Sequence, residues 1–193
     1  MDFTTFNDML RRAAWRLPDH EFIYWSDRAR SITYAQGEQL SGKAAGALAA
    51  LGVVKGDRVG IFAHNGLDYV IAMFGAWKLG AISTHISVLQ KDNLAYFIGD
   101  STPKVLIYTG DMHEVIMRIR EQNLGVQHFI CFDGPRDFAH GWSDLLQAAT
   151  PPPAVSGGWA GRWRAAGRRT PALPHGPRPH RGARSRIPRR GHA

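Results

Sequence analysis

The chain has 193 residues, 44% of them hydrophobic, a formal net charge of +8 and a single cysteine, Cys131. One cysteine excludes an intramolecular disulfide framework and cannot by itself form a zinc site. The longest apolar run, 69–77, is too short to span a membrane. The first residues lack the basic start and apolar block of a secretory signal, so a cytoplasmic protein is expected.

The positive charge is concentrated after Thr150. Residues 151–193 contain 10 Arg, 8 Pro, 7 Gly and 7 Ala, and no Lys, Asp or Glu. Residues 1–150 hold the other 14 of the 24 basic residues and all 16 acidic ones, which leaves them slightly negative. Few apolar residues and many Pro and Gly are typical of disorder. We therefore predict two parts: a folded part over 1–150 and a disordered basic tail over 151–193.

Hydrophobic periodicity and turn residues predict alternating helices and strands. In chain order these are a helix over 3–15, a hairpin of strands 21–25 and 31–35, a helix over 36–51, a strand over 58–63, a helix over 67–79, a strand over 81–86, a helix over 91–99, a strand over 104–108, a helix over 112–122, a strand over 126–132 and a helix over 142–149. This alternation predicts an α/β fold, with a mainly parallel sheet flanked by helices. The strands at 58–63, 104–108 and 126–132 are continuously apolar, as in sheets covered on both faces.

Several residues predict helix ends and packing. Thr33 and Gln36 have the spacing of a capping box, in which each side chain bonds the other's backbone N–H. Gly52 and Gly80 follow predicted helices, where a left-handed cap favours glycine. Gly75 lies inside a helix, and close packing explains it better than a phosphate site.

Residues 1–150 contain no strong sequence motif for a catalytic, nucleotide-binding or metal-binding site. Neither glycine-rich phosphate-loop pattern occurs there. Six histidines are present, none spaced for a metal site: His20, His64, His85, His113, His128 and His140. His85 lies near the end of the strand predicted over 81–86, where α/β ligand sites often lie, but a structural role is favoured. Asp111, in the run YTGD, is interpreted as a residue near a helix N-terminus.

Short motifs follow one another in a defined order along the first 107 residues. They are Thr33-Tyr34, Leu51-Gly52-Val53, Gly56-Asp57-Arg58-Val59, Asn65 with Tyr69, Lys78-Leu79-Gly80-Ala81, and LAYFIGDSTPKVLI over 94–107. Their order and spacing make residues 3–149 resemble the N-terminal portion of the AMP-forming acyl-CoA synthetases, in the adenylate-forming superfamily.

This resemblance implies the first lobe of the adenylate-forming fold. For an intact enzyme it implies that a carboxylic acid reacts with ATP to give an acyl-adenylate and pyrophosphate, and that the acyl group passes to CoA with release of AMP. ATP, Mg²⁺ and CoA would be needed. Fatty acyl, aryl and other acids remain open, and so does the oligomeric state.

The sequence departs from the family after Thr150. There the family has a phosphate loop, T-S-G-[ST]-T-G-x-P-K, whereas residues 151–193 contain no Lys and no Ser/Thr-rich cradle. The later adenine, ribose, hinge and C-terminal catalytic motifs also have no counterpart. We therefore assign no catalytic, cofactor-binding or metal-binding residue, and expect an inactive fragment that binds no cofactor.

The tail composition has two interpretations. Ala, Gly, Pro and Arg have codons that begin with two G or C bases, so a GC-rich gene read in a wrong frame would produce this tail. Alternatively, the arginines bind nucleic acid phosphates while Trp159 and Trp163 stack on bases. Non-specific polyanion binding is possible in either case. For the protein as a whole, a further alternative is a non-catalytic interaction protein whose folded part is the first lobe of the synthetase fold.

Overall fold

A five-stranded parallel sheet organises the part of the chain that the structure, a computed structural model, describes: residues 5–26 and 29–150. In chain order the elements are α1 (Phe6–Arg16), β1 (Glu21–Trp25), β2 (Arg30–Thr33), α2 (Tyr34–Ala50), β3 (Arg58–Phe62), α3 (Leu67–Lys78), β4 (Ile82–Ile86), α4 (Leu94–Ser101), β5 (Val105–Tyr108), α5 (His113–Glu121), β6 (His128–Cys131), β7 (Ala139–Gly141) and α6 (Trp142–Ala148). Short 3₁₀ helices, Val88–Asn93 and Gly110–Met112, precede α4 and α5.

The strand order in the sheet is β4-β3-β5-β6-β7, and every neighbouring pair is parallel. The hairpin of β1 and β2 is antiparallel and separate from this sheet. The predicted α/β fold with a mainly parallel sheet is therefore confirmed.

Helices cover both faces of the sheet. One face of β3, β5 and β6 packs against α2, α3 and α6 through fully buried side chains such as Leu48, Ile71 and Trp142. The other face packs against α4 and α5 through Leu94, Ile98 and Ile116. Apolar side chains on alternate strand positions thus enter two separate cores, which explains why these strands are apolar throughout.

The predicted helix ends are confirmed for α2 and α3. Thr33 Oγ1 accepts from the N–H of Gln36 at 3.3 Å, and Gln36 Oε1 accepts from the N–H of Thr33 at 2.9 Å. Gly52 and Gly80 have φ values of +79° and +72°. The N–H of each bonds back into the preceding helix, as in a Schellman cap.

Gly75 marks the contact between α2 and α3. A Cβ atom built on Gly75 would lie 2.5 Å from the Cβ of Ala44, which is closer than real Cβ contacts allow. The interpretation of Gly75 as a close-packing residue is confirmed.

The structure differs from the prediction at several boundaries. Strand β2 ends at Thr33 because α2 already begins at Tyr34. A 3₁₀ helix starts at Val88, and β7 was not predicted at all. Within the described residues, no helix is long and apolar enough to cross a membrane. The predicted disordered tail lies outside the described residues.

Candidate functional site

The strand order creates a switch point between β3 and β5. From β3 the chain passes through α3 to β4 on one side, and then through α4 to β5 on the other side. Because α3, which follows β3, and α5, which follows β5, cover opposite faces, the connections diverge at the carboxyl ends of β3 and β5. Open α/β sheets bind ligands in the crevice that this divergence leaves. Polar side chains at this edge are therefore the candidates for a ligand site.

A histidine and an aspartate meet at the switch point. His64 follows β3, and Asp111 lies in the 3₁₀ turn after β5. Their Nε2 and Oδ2 atoms are 2.8 Å apart, and about half of each side chain is exposed, 54% and 52%. Burial raises the pKa of Asp111, but hydrogen bonds from His64 and Thr109 outweigh it and leave the pKa below its ordinary value. Asp111 does lie before α5 as expected, but its partner is His64.

A second contact joins the ends of β5 and β6. The N–H of Gly110 donates to Asp133 Oδ2 at 2.6 Å. A Cβ atom at position 110 would lie 3.0 Å from an Arg136 nitrogen and 3.1 Å from the same Asp133 oxygen. A side chain at position 110 would therefore crowd this contact, which fixes the loop that carries Asp111.

Tyr69 and His85 form a third contact, on the α3 side of the sheet. Tyr69 Oη lies 2.7 Å from His85 Nδ1, and the two rings stack with centroids 5.5 Å apart. The other ring nitrogen of His85, Nε2, lies 2.8 Å from Ser83 Oγ. Burial lowers the pKa of His85 and raises the pKa of Tyr69, so both side chains favour their neutral forms.

The remaining histidines do not join these residues. His113 Nδ1 lies 2.8 Å from the hydroxyl of the buried Tyr108, which makes it part of the core on the α5 side. His128 and His140 lie side by side on β6 and β7, with ring centroids 6.0 Å apart. Among the residues that the structure describes, no three potential metal ligands cluster.

The described residues at the carboxyl edge do not fit the triphosphate of ATP. Phosphate sites use glycine-rich loops, helix N-termini and a nearby lysine. Lys104 and Arg58 lie at the opposite, amino edge, where Lys104 bonds Asp57 at 3.0 Å and Arg58 bonds Thr102 at 2.6 Å. No step involving ATP follows from residues 5–26 and 29–150.

The site was only partly foreseeable from the sequence. His64 and Asp111 each follow a predicted strand, but the pattern alone did not place β3 beside β5. The sequence indicates His85 by its place near the end of a strand, but it gives no comparable signal for its partners Ser83 and Tyr69. The useful signal is the spacing of Ser83 and His85, which puts both on one face of a strand.

The fold matches solved structures of acyl-CoA synthetases. The N-terminal domain of FACL13 from Mycobacterium tuberculosis superposes with a TM-score of 0.71 at 29% identity, covering 82% of this chain and 40% of that one. A fatty acyl CoA synthetase from Mycobacterium tuberculosis gives a TM-score of 0.68 at 30% identity, with 79% and 30% covered.

Curated relatives show the same similarity. The long-chain-fatty-acid–CoA ligase FadD13 of Mycobacterium tuberculosis is 38% identical over 115 residues, which is 59% of this chain and 23% of the ligase. A long-chain-fatty-acid–CoA ligase from Thermus thermophilus is 30% identical over 129 residues, 65% of this chain and 24% of that ligase. The matched segment thus spans about a quarter of each relative.

The family model described as "AMP-binding enzyme" matches residues 10–155. That range is well over half of the chain and includes every strand of the parallel sheet, together with the switch-point residues. The chain therefore belongs to the AMP-binding enzyme family.

Proposed function

We propose that residues 1–150 are the N-terminal part of an ATP-dependent acyl-CoA synthetase. An intact enzyme of this kind converts a carboxylic acid, ATP and CoA into acyl-CoA, AMP and pyrophosphate, with Mg²⁺ as the metal. The match of the family model over 10–155 carries this proposal. The names of the relatives, long-chain-fatty-acid–CoA ligases, favour a fatty acid among the possible acids. We also propose a cytoplasmic location.

We propose further that this chain alone has no synthetase activity. Its matched segment covers about a quarter of FadD13, 23%. The sequence after Thr150 lacks any lysine, and none occurs after Lys104. A synthetase must neutralise the phosphates of ATP, which requires charged groups and backbone donors arranged around them. The described residues, 5–26 and 29–150, bring no such arrangement to the carboxyl edge, so no catalytic, cofactor-binding or metal-binding residue of the synthetase reaction is assigned.

An ATP–pyrophosphate exchange assay tests this inactivity. The full chain is incubated with Mg²⁺, labelled pyrophosphate and single carboxylic acids, including long-chain fatty, medium-chain and aromatic acids. A complete acyl-CoA synthetase serves as the positive control. We expect exchange at background for every acid. Acid-dependent exchange above background would refute the proposal of inactivity.

We propose that the tail, residues 151–193, arose from a shift of reading frame near position 150–160. Its 32 Ala, Gly, Pro and Arg residues out of 43 support this origin. Sequencing the gene and its downstream region tests it. We expect another frame to encode a Ser/Thr/Gly-rich loop with a lysine soon after codon 150. If no frame continues the synthetase sequence, the proposal is wrong.

A second candidate is an arginine-rich segment that binds nucleic acid, favoured by ten arginines interspersed with Trp159 and Trp163. Phosphate contacts of this kind weaken steeply with salt. Binding of single-stranded RNA is measured at two salt concentrations for the full chain and for a chain ending at Thr150. Equal binding by both chains would exclude the tail as the cause. Loss of binding on truncation would support this second candidate.

A further inference from the structure

Four side chains form a continuous hydrogen-bonded chain across α3 and β4. Trp77 Nε1 donates to Ser83 Oγ at 3.0 Å, and Ser83 Oγ lies 2.8 Å from His85 Nε2. His85 Nδ1 in turn lies 2.7 Å from Tyr69 Oη. Both ring nitrogens of His85 are thus engaged, one by a hydroxyl that can react and one by a hydroxyl that can orient the ring.

This arrangement has the three parts of an activated nucleophile. A serine hydroxyl is a weak nucleophile unless a base removes its proton, and the base must itself be oriented by a third group. Here the serine is Ser83, the base is His85 and the orienting group is Tyr69. The separation of 2.8 Å between Oγ and Nε2 lies within the reach of a general base.

The hydrogen-bond roles are mutually consistent. The indole N–H of Trp77 can only donate, so Ser83 Oγ accepts there and is free to donate its own proton to His85 Nε2. His85 then carries its proton on Nδ1 and donates it to Tyr69 Oη. Because burial lowers the pKa of His85, the imidazole is neutral near pH 7 and can accept the serine proton.

The surroundings give access and charge stabilisation. His85 lies at the surface and Ser83 is partly exposed. Strand β4 is at the edge of the described sheet and pairs there with β3. The N–H of Ile82 bonds Asp57, on the β3 side. Since N–H directions alternate along a strand, the N–H of Ser83 points to the open edge, where it can donate to an oxyanion as in serine hydrolases.

We propose that Ser83 is a nucleophile that accepts acyl groups from activated carboxylic esters, with His85 as its general base and Tyr69 as a positioning residue. Ser83 Oγ bonds to the ester carbonyl carbon while its proton passes to His85 Nε2. The bond between that carbon and the leaving alcohol then breaks, and the alcohol takes the proton from His85. Water attacks the acyl-serine with the same base, releasing the carboxylic acid and restoring Ser83.

Covalent labelling of the full chain with an alkyl fluorophosphonate tests the nucleophile. Ser83 Oγ displaces fluoride from phosphorus, and peptide mass spectrometry locates the adduct. We expect stoichiometric labelling at Ser83 in the native chain, no labelling in Ser83→Ala, and labelling at least about 100-fold slower in His85→Gln. The matched controls Ser31→Ala and His20→Gln, both at exposed positions away from β4, should label like the unaltered chain.

Two further measurements separate activation from structure. Tyr69→Phe removes one hydroxyl and should slow labelling about tenfold while the thermal unfolding midpoint falls by only a few degrees, about the cost of one hydrogen bond. In the chain unfolded by urea at the same temperature, Ser83 is no longer held against His85, so that chain should label far more slowly than the native chain. Equal labelling of native and unfolded chains, or labelling of native chain away from Ser83 only, would overturn the proposal and leave the four side chains as a brace between α3 and β4.

Discussion

Gly75 packs so closely against Ala44 that there is no room for a side chain, so we predict that Gly75→Ala destabilises the protein. The added Cβ would lie 2.5 Å from Ala44 Cβ and 3.0 Å from its carbonyl carbon, and α2 and α3 must separate to admit it. Overpacking of this kind costs about 1–3 kcal/mol, which exceeds the roughly 1 kcal/mol that alanine gains over glycine in a helix. The free energy of unfolding in urea measures the difference.

Gly99 provides the matched control, because it also lies within a helix, α4, but has no atom within 4 Å of an added Cβ. Gly99→Ala should leave the free energy of unfolding unchanged or raise it by up to about 1 kcal/mol. Should Gly75→Ala prove as stable as Gly99→Ala, the close approach of α2 and α3 would be wrong.

The lowered pKa of His128 predicts that the free energy of unfolding depends on pH. Burial lowers its pKa below the ordinary value of 6.5, and the nearby His140 and Lys104 lower it further. The unfolded chain therefore binds a proton at a higher pH than the folded one, so stability is complete above pH 6.5 and is lost as the pH falls through the folded pKa. The free energy of unfolding should decrease from pH 7 to pH 5, and less so in His128→Gln.

His20→Gln is the control for that variant, because His20 lies on an exposed turn away from the sheet. It should keep the pH dependence of the unaltered chain. An identical pH dependence in His128→Gln would show that His128 is not the group responsible.

At the scale of elements, the side chain of Thr33 caps the N-terminus of α2 and stabilises that helix. Its hydroxyl accepts from the N–H of Gln36 at 3.3 Å, and α2 contributes Ala44 and Leu48 to the larger core. We predict that Thr33→Ala lowers the free energy of unfolding by about 1 kcal/mol, the usual cost of losing a cap. Thr33→Ser keeps the hydroxyl and should stay near the unaltered value. Equal losses in both variants would assign the effect to the lost methyl group instead.

The features predicted best from the sequence are those encoded by neighbouring residues, such as the caps at helix ends. Thr33 with Gln36, Gly52 and Gly80 mark helix ends through their own backbone chemistry, and all act as predicted. Strand β7 was missed because Ala139, His140 and Gly141 have little strand preference. It forms because its backbone pairs with Phe129–Cys131 of β6.

The candidate site depends on information that local patterns do not contain. His64 and Asp111 are 47 residues apart and meet only because β5 pairs with β3. The alternation of helices and strands predicts parallel strands, but it is equally compatible with other strand orders. Ser83 and His85 are different, since their spacing of two already puts them on one face of β4.

At the scale of the whole molecule, the sheet ends in two open edges within the described residues, β4 and β7. Solved relatives have longer chains: residues matching this protein make up 40% of the FACL13 N-terminal domain. Strand β4 carries Ile82, which is 54% exposed. Unpaired backbone groups beside an exposed apolar side chain promote pairing between molecules.

We therefore predict that the chain self-associates as its concentration rises and that Ile82→Lys reduces this association. A lysine on an edge strand opposes the approach of a second edge because its charge would lose hydration there. Light scattering against concentration measures the effect. Met117→Lys is the control, because Met117 is also exposed, at 43%, but lies on α5 away from either edge. If both lysine variants reduce scattering equally, added charge alone is responsible and the open edge of β4 is not the contact.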